Sequence, residues 1–340
     1  MKIILIHLGK KIPDYVLINL KHSANVFGEK LVFISDNQNA LDEANGLGIS
    51  TCIHASEFSL LELEKIIEST DELIRASIQR FGILKEVIQK LECKVVYLES
   101  DVLVFEDFPI GDFEKIENDL AYSLVSNGAG IASVLFVKDL DACTKMMDFF
   151  VSELSKNGFL TDMELLWHYK VHYPKRVFVL PTTLEELPRK SEELEIDFLG
   201  EMKLNPGVFS GVFDSATWGQ YLTGEHEVNS LGFRPLFHQQ KHHFVRPWRH
   251  AIIIDLKGFI NVSLRGESVP LYCLHIHSKD LAFFGNEKLF KLQESIVQSK
   301  KGMRFKFVPS IRNLTNFRGG ARNLIMLSGD RWRTKMSNEL

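Results

Sequence analysis

At 340 residues, 45% of them hydrophobic and 25% charged, the chain is long enough for one large core or two modest ones, and its mixed composition excludes a disordered or low-complexity protein. No stretch approaches the roughly 20 apolar residues that span a bilayer, and the N-terminal IILIHL is shorter than a signal-peptide core and lacks a small-residue cleavage site. The net charge of −4 is uneven: Lys300–Leu340 carries ten Lys or Arg against Asp330 and Glu339, a local +8 that leaves −12 on the rest.

A basic tail on an acidic body suits attraction to phosphate or to an anionic membrane face; a solvated tail, or one packed on the body, fits as well. With the basic charge confined there and no reading motif, nucleic acid is an unsuitable partner. Cys52, Cys93, Cys143 and Cys273 are far apart and show no paired spacing, so a thiol-reduced protein without a zinc knuckle is expected. Together these features predict a soluble, cytoplasmic protein, at most peripheral at the inner face of the membrane.

In chain order, Lys2–Leu8 reads as a buried strand, Asp14–Val26 as a helix, Lys30–Ile34 as a strand closing at Ser35-Asp36, and Ile49–His54 as a third strand. Ile74, Ile78, Phe81, Leu84, Ile88 and Leu91 recur at spacings of three and four, the period of an amphipathic helix. That helix feeds Lys94–Leu98, whose Val-Val-Tyr-Leu run suits a central parallel strand. Strands alternating with helices predict a parallel α/β sheet, with ligands at the carboxyl ends of the strands. Glu99 and Asp101 stand there, in YLESDVLVFED. On an extended backbone, residues two apart face the same side, and paired hard oxygen ligands suit Mg²⁺ or Mn²⁺. A solvated strand end accounts for the same residues.

Further on, Ala121–Val125 and Ile131–Val137 read as strands around the loop SNGAG, followed by an amphipathic helix through Cys143, Met146, Met147, Phe150 and Leu154. Thr161-Asp162-Met163-Glu164 has the spacing of a capping box. After a strand at Arg176–Leu180 the chain is loop-rich to about 250, with FDSATWGQYLTG at its centre. This mixture of glycine, aromatic and amide residues resembles a sugar-binding surface, although Trp218 and Tyr221 fit a core equally. Ile252–Asp255 and Leu271–His277 are the late strands. In LHIHSKDL, alternation sets His275 and His277 on one face.

The block VVYLESDVLVFEDF, the preceding helix with Arg80, the SNGAG loop and LHIHSK together resemble the GT-A-fold glycosyltransferases, over roughly residues 1–285. That family transfers sugars from nucleotide-diphosphate donors with the help of a divalent metal. The resemblance implies a mixed, mainly parallel sheet with helices on both faces. The nucleotide-binding part would lie at about 1–110, the acceptor-binding part at about 111–285, and a helical, basic extension at 286–340. Glu99-Ser100-Asp101 takes the place of the DxD motif, with glutamate in its first position. By resemblance Asp101, Glu99 and His277 hold Mn²⁺ or Mg²⁺, and Glu99 and Ser100 approach the nucleotide. Lys279 contacts the diphosphate, and Arg80 faces the nucleotide or pairs with a glutamate. Leu8, Gly9 and Asp36 receive base and ribose, although Asp36 is also a turn former.

Asp162 is a candidate base toward the acceptor hydroxyl or a cap residue, and Glu164 a cap. Asp214 is a second candidate catalytic carboxylate or donor-sugar contact. The implied donor is a nucleotide sugar, foremost a UDP-sugar. The implied acceptor is a glycan or lipid-linked saccharide, in surface polysaccharide or lipopolysaccharide assembly. A sugar-phosphate nucleotidyltransferase would carry a Gly-rich loop with Arg and Lys after the first strand, where HLGKKIPDY has one glycine. A non-catalytic nucleotide-sugar-binding module is the remaining alternative.

Overall fold

The apolar runs near the start become strands because they are short, rich in Ile and Val, and covered on both faces. The computed structural model describes residues 1–9, 11–59, 72–157, 160–187, 198–223, 243–254, 260–277, 279, 305–307 and 325–327. β1 (Lys2–His7), β2 (Leu31–Ser35), β3 (Thr51–His54) and β4 (Val95–Leu98) pair in parallel in the order β3-β2-β1-β4. Beyond a short β5 (Val102–Val104), β6 (Leu120–Ser126), β7 (Ala129–Val137) and β8 (Val177–Val179) extend the sheet to seven strands. β7 lies antiparallel to both β4 and β6, and β8 is parallel to β6. The expected mixed, mainly parallel sheet is therefore present, and it crosses the boundary expected near residue 110.

Alternation along β1 divides its side chains between two cores: Ile4 and Ile6 join one, Ile3 and Leu5 the other. On the first side pack α3 (Glu72–Leu91), α4 (Leu140–Asn157) and α5 (Asp162–His172), through residues such as Phe81, Phe150 and Leu166. On the second pack α1 (Asp14–Phe27) and α2 (Gln38–Gly46), through Val16, Leu20 and Leu41. Local chemistry sets several helix ends. The Asn37 side chain accepts the N–H groups of Asn39 and Ala40 at the start of α2. The capping box of α5 forms, with Thr161 and Glu164 bonded reciprocally, so Glu164 is the cap expected of it. SNGAG is tighter than the expected loop: β6 ends at Ser126, Gly128 takes φ +83° in the turn, and β7 has begun by Ala129.

The strand order reverses direction at β1, since β2 and β3 extend to one side while α3 carries the chain across to β4 on the other. A crevice forms at such a switch point, outside the carboxyl ends of the two strands. The late chain completes it. Two short helices, α6 (Phe198–Glu201) and α7 (Thr217–Thr223), lead to β9 (Ala251–Ile254), β10 (Ile260–Leu264) and β11 (Glu267–Pro270). Then β12 (Cys273–His275) pairs with β5 as a separate two-stranded ribbon. The strand expected at 271–277 is thus shorter than its apolar pattern suggested. β13 (Phe305–Phe307) and β14 (Ile325–Leu327) join β9–β11 in a second, five-stranded sheet. A helical extension was expected there; the described pieces are strands, and the other residues beyond 279 lie outside the described set. Among the described residues no helix is long and apolar enough to cross a membrane.

Candidate active site

β4 stops at Leu98, and the Val102 N–H donates to the Glu99 carbonyl at 3.0 Å. Residues 99–101 therefore form a tight turn, and the expected convergence by strand alternation is achieved by a bend instead. β5 leaves this turn and pairs antiparallel with β12, which sets His275 opposite Val102; the Ile276 N–H then donates to the Asp101 carbonyl at 2.9 Å. The pairing carries the His275 Nε2 to 3.1 Å from Asp101 Oδ2 and 3.5 Å from Glu99 Oε2. Ligand atoms of all three residues lie within 4.8 Å of one another. His277, the imidazole expected here, is not in that group. It stacks on His275 with ring centroids 4.0 Å apart, and burial, followed by the charges of His275 and His243, holds its pKa well below the ordinary value.

Cations balance the acids. Arg80, from the middle of α3, bridges Glu99 and Asp162 at 2.5 Å each and reaches the Tyr97 hydroxyl at 3.2 Å. Its side chain is 15% exposed, so it is neither a surface arginine nor free to turn outward. Burial pushes the Glu99 carboxyl up, but Arg80, His275 and Lys279 outweigh it and hold Glu99 below the usual range. At Asp162 burial prevails over Arg80, and the pKa is raised. Lys279 pairs with Asp101 and lies 5.2 Å from the centre of the Tyr15 ring. Its φ of +52° is a left-handed conformation that costs an L residue about 1 kcal/mol, so these contacts hold it against backbone strain. Burial lowers its ammonium to about 8.

These groups line a cavity of about 420 Å³ at the switch point. Ile6, His7 and Leu8 come from the end of β1, Tyr15 from α1, and Ala76, Ser77 and Arg80 from α3; Tyr97, Glu99, Ser100 and Asp101 come from β4 and its turn. Ile131, Asp162, Met163, His275, His277 and Lys279 complete the wall. Leu8, Ser100, Arg80, Asp162 and Lys279 therefore line one cavity. Gly9 and Asp36 are not in the lining: the Asp36 carboxylate accepts the Gly9 N–H at 2.8 Å, a long-range bond that ties the end of β1 to the end of β2.

Asp214 departs from expectation. It is fully buried and outside the lining, accepting backbone N–H groups from Trp218, Gly219 and His275. Burial raises it to about 6. A carboxylate enclosed in this way does not meet an acceptor hydroxyl. Sequence reasoning also passed over Tyr15, whose periodic place in α1 gave no sign that it faces the cavity beside Ser100 and Lys279.

The donor set suits a hard divalent ion. Ligand atoms bonded at about 2.1 Å on adjacent octahedral positions stand about 3 Å apart, close to the separations of the imidazole from the two carboxylates. Two carboxylates and an imidazole make a mixed oxygen and nitrogen donor set of the kind that holds a divalent ion. The three residues therefore fit the metal that the resemblance implied.

No protein-family model matches the chain, and neither does any curated protein. Several solved structures are similar. Mouse xyloside xylosyltransferase 1 is 12% identical with a TM-score of 0.40, over 53% of this chain and 84% of that one. The galactosyltransferase LgtC is 15% identical with a TM-score of 0.37, over 73% and 98%. A cytidylyltransferase from Leptospira borgpetersenii is 12% identical with a TM-score of 0.29, over 48% and 78%. With every score this low, the chemistry has to be read from the side chains.

Proposed function

We propose that this protein is a metal-dependent glycosyltransferase that moves a sugar from a nucleotide-diphosphate donor to a glycan or lipid-linked acceptor. The observation that carries the reading is the meeting of Glu99, Asp101 and His275 on one wall of the switch-point cavity. Glu99, Asp101 and His275 would hold Mn²⁺ or Mg²⁺, which when bound supplies Lewis-acid stabilisation of a departing nucleoside diphosphate.

The protein's own groups divide the remaining work. Ile6 and Leu8 offer an apolar wall for the base. Arg80 fixes the Glu99 carboxylate and holds Asp162 at the start of α5. The Lys279 ammonium, mobile once released from Asp101, meets the charge that grows on the leaving diphosphate. Asp162 faces the space left for the sugar; its raised pKa suits a group that accepts a hydrogen bond or a proton from a hydroxyl. A UDP-sugar is the first donor to try, and assembly of a surface polysaccharide or lipopolysaccharide at the inner membrane face is the setting in which the basic tail gains a use.

The test is a thermal-shift panel of UDP-, GDP-, CMP- and TDP-sugars, with and without Mn²⁺, followed by assay of nucleotide release. One donor should raise the melting temperature only with Mn²⁺, the shift should vanish in Asp101→Ala, and nucleotide should be released. Binding without release would make the protein a binding module. No stabilisation by any donor under any metal condition would end the proposal.

A further inference from the structure

Asp214 lies outside the cavity lining, yet two of the three metal-ligand candidates, His275 and Glu99, are tied to it. Oδ1 accepts the Trp218 N–H at 2.9 Å, while Oδ2 accepts the Gly219 N–H at 2.7 Å and the His275 N–H at 2.8 Å. Its backbone carbonyl accepts the Ser133 hydroxyl at 3.2 Å, and the Ser133 carbonyl in turn accepts the Glu99 N–H at 3.1 Å. One buried residue thus ties β12 at His275, the start of α7, and, through β7, the end of β4. The fit leaves no slack: a Cβ on Gly219 would lie 1.7 Å from the His275 carbonyl oxygen, so α7 rests directly on the β12 backbone.

We propose that Asp214 is a positioning residue, setting where the His275 imidazole stands against Glu99 and Asp101; the inference rests on the metal-site reading above. The chemistry explains why the residue is a carboxylate. Three backbone donors converge on two oxygens, and an amide would keep one acceptor and turn an NH₂ group toward N–H groups. Buried donors left without partners would relax by moving the β12 backbone, and the ring would move with it. Shifts of this kind in groups supporting a metal ligand typically weaken metal binding 10- to 100-fold.

The experiment measures the Mn²⁺ dissociation constant of the full chain by electron paramagnetic resonance of free Mn²⁺. Asp214→Asn should bind about tenfold or more weakly than the wild type. Trp218→Phe is the control: it removes the indole bond from α7 to the Thr182 carbonyl but leaves all three Asp214 bonds, which come from backbone amides. It should lower the melting temperature and leave Mn²⁺ binding within about twofold. Equal weakening in both variants would reduce Asp214 to general structural support and overturn the proposal. Mn²⁺ binding abolished by Asp101→Ala but unchanged in Asp214→Asn would sink the positioning role while sparing the metal site. No Mn²⁺ binding by the wild type would sink both. Should Asp214→Asn not fold, hydrogen exchange on the wild type decides. Mn²⁺ should slow the amides of both His275 and Gly219, and binding that leaves either one unslowed overturns the inference.

Discussion

Arg80 is held by two carboxylates and a phenol, so its removal strands Glu99 and Asp162 in a wall with little water. For Arg80→Met the expected loss of stability is about 3 kcal/mol, the low end of what breaking a buried ion pair costs. The sign of its pH dependence follows from the same groups. Without the guanidinium, burial raises both carboxyl pKa values above their unfolded values, so the folded variant binds more protons than the unfolded chain. Its deficit relative to wild type should therefore shrink as pH falls from about 7 to 5, measured by urea unfolding; a deficit that grew would contradict the assignment. Lys279 gives a second prediction. An ammonium at about 8 is charged below that pH and neutral above it, so kcat/KM should fall on the alkaline side with an apparent pKa near 8. In Lys279→Arg the falling limb should disappear from the range below pH 10; an unchanged limb would assign it to another group.

At the level of elements, Gly130 sits where β7 touches α5. Its φ is ordinary, but an added Cβ would lie 2.9 Å from the Leu166 Cβ and 3.2 Å from the Tyr122 ring, and the Tyr122 hydroxyl already donates to the Leu166 carbonyl at 2.7 Å. Gly130→Ala should therefore push α5 outward and cost about 1–3 kcal/mol. Because Asp162 opens that helix, donor KM should rise more than kcat falls. Elements of this kind differ in how openly the sequence declares them. The cap of α5 and the face of α3 are written in residues three or four apart, and both are read without knowing the rest of the fold. The pairing of β12 with β5 depends on residues about half a chain apart, so the alternation in LHIHSK offered two imidazoles with no means of choosing between them. Asp214 was misassigned for a related reason: a carboxylate clamped by three backbone amides and one facing a substrate look alike until the amides are in place. The second sheet was missed as a sheet because β13 and β14, which extend it beyond β9, come from a tail whose charge dominates its pattern.

Across the whole molecule, the site depends on how firmly the late chain is fastened to the early sheet. The fastening is aromatic. Phe113, fully buried, stands with ring centroids 5.9 Å from Phe108 and from Phe136, 5.1 Å from Phe209 and 5.7 Å from Phe213. These rings come from the segment after β5, from β7, and from the loop that ends at Asp214, so one side chain joins three stretches of chain. Phe113→Ala removes the central ring and should cost about 3–5 kcal/mol. If β4, β7 and the 209–214 loop form one cooperative body, the loss appears as a single transition at a lower urea midpoint, with the slope unchanged and tryptophan fluorescence coincident with far-UV circular dichroism. Trp218 lies on α7 just past that loop, so with Trp167, Trp248 and Trp332 replaced by Phe its fluorescence reports the late chain while circular dichroism reports the secondary structure as a whole. Were the late chain a separate unit docked on a nucleotide-binding half, Phe113→Ala would split the two signals, with fluorescence changing first. Coincident curves would mean that the cavity cannot lose its histidine without the whole sheet unfolding.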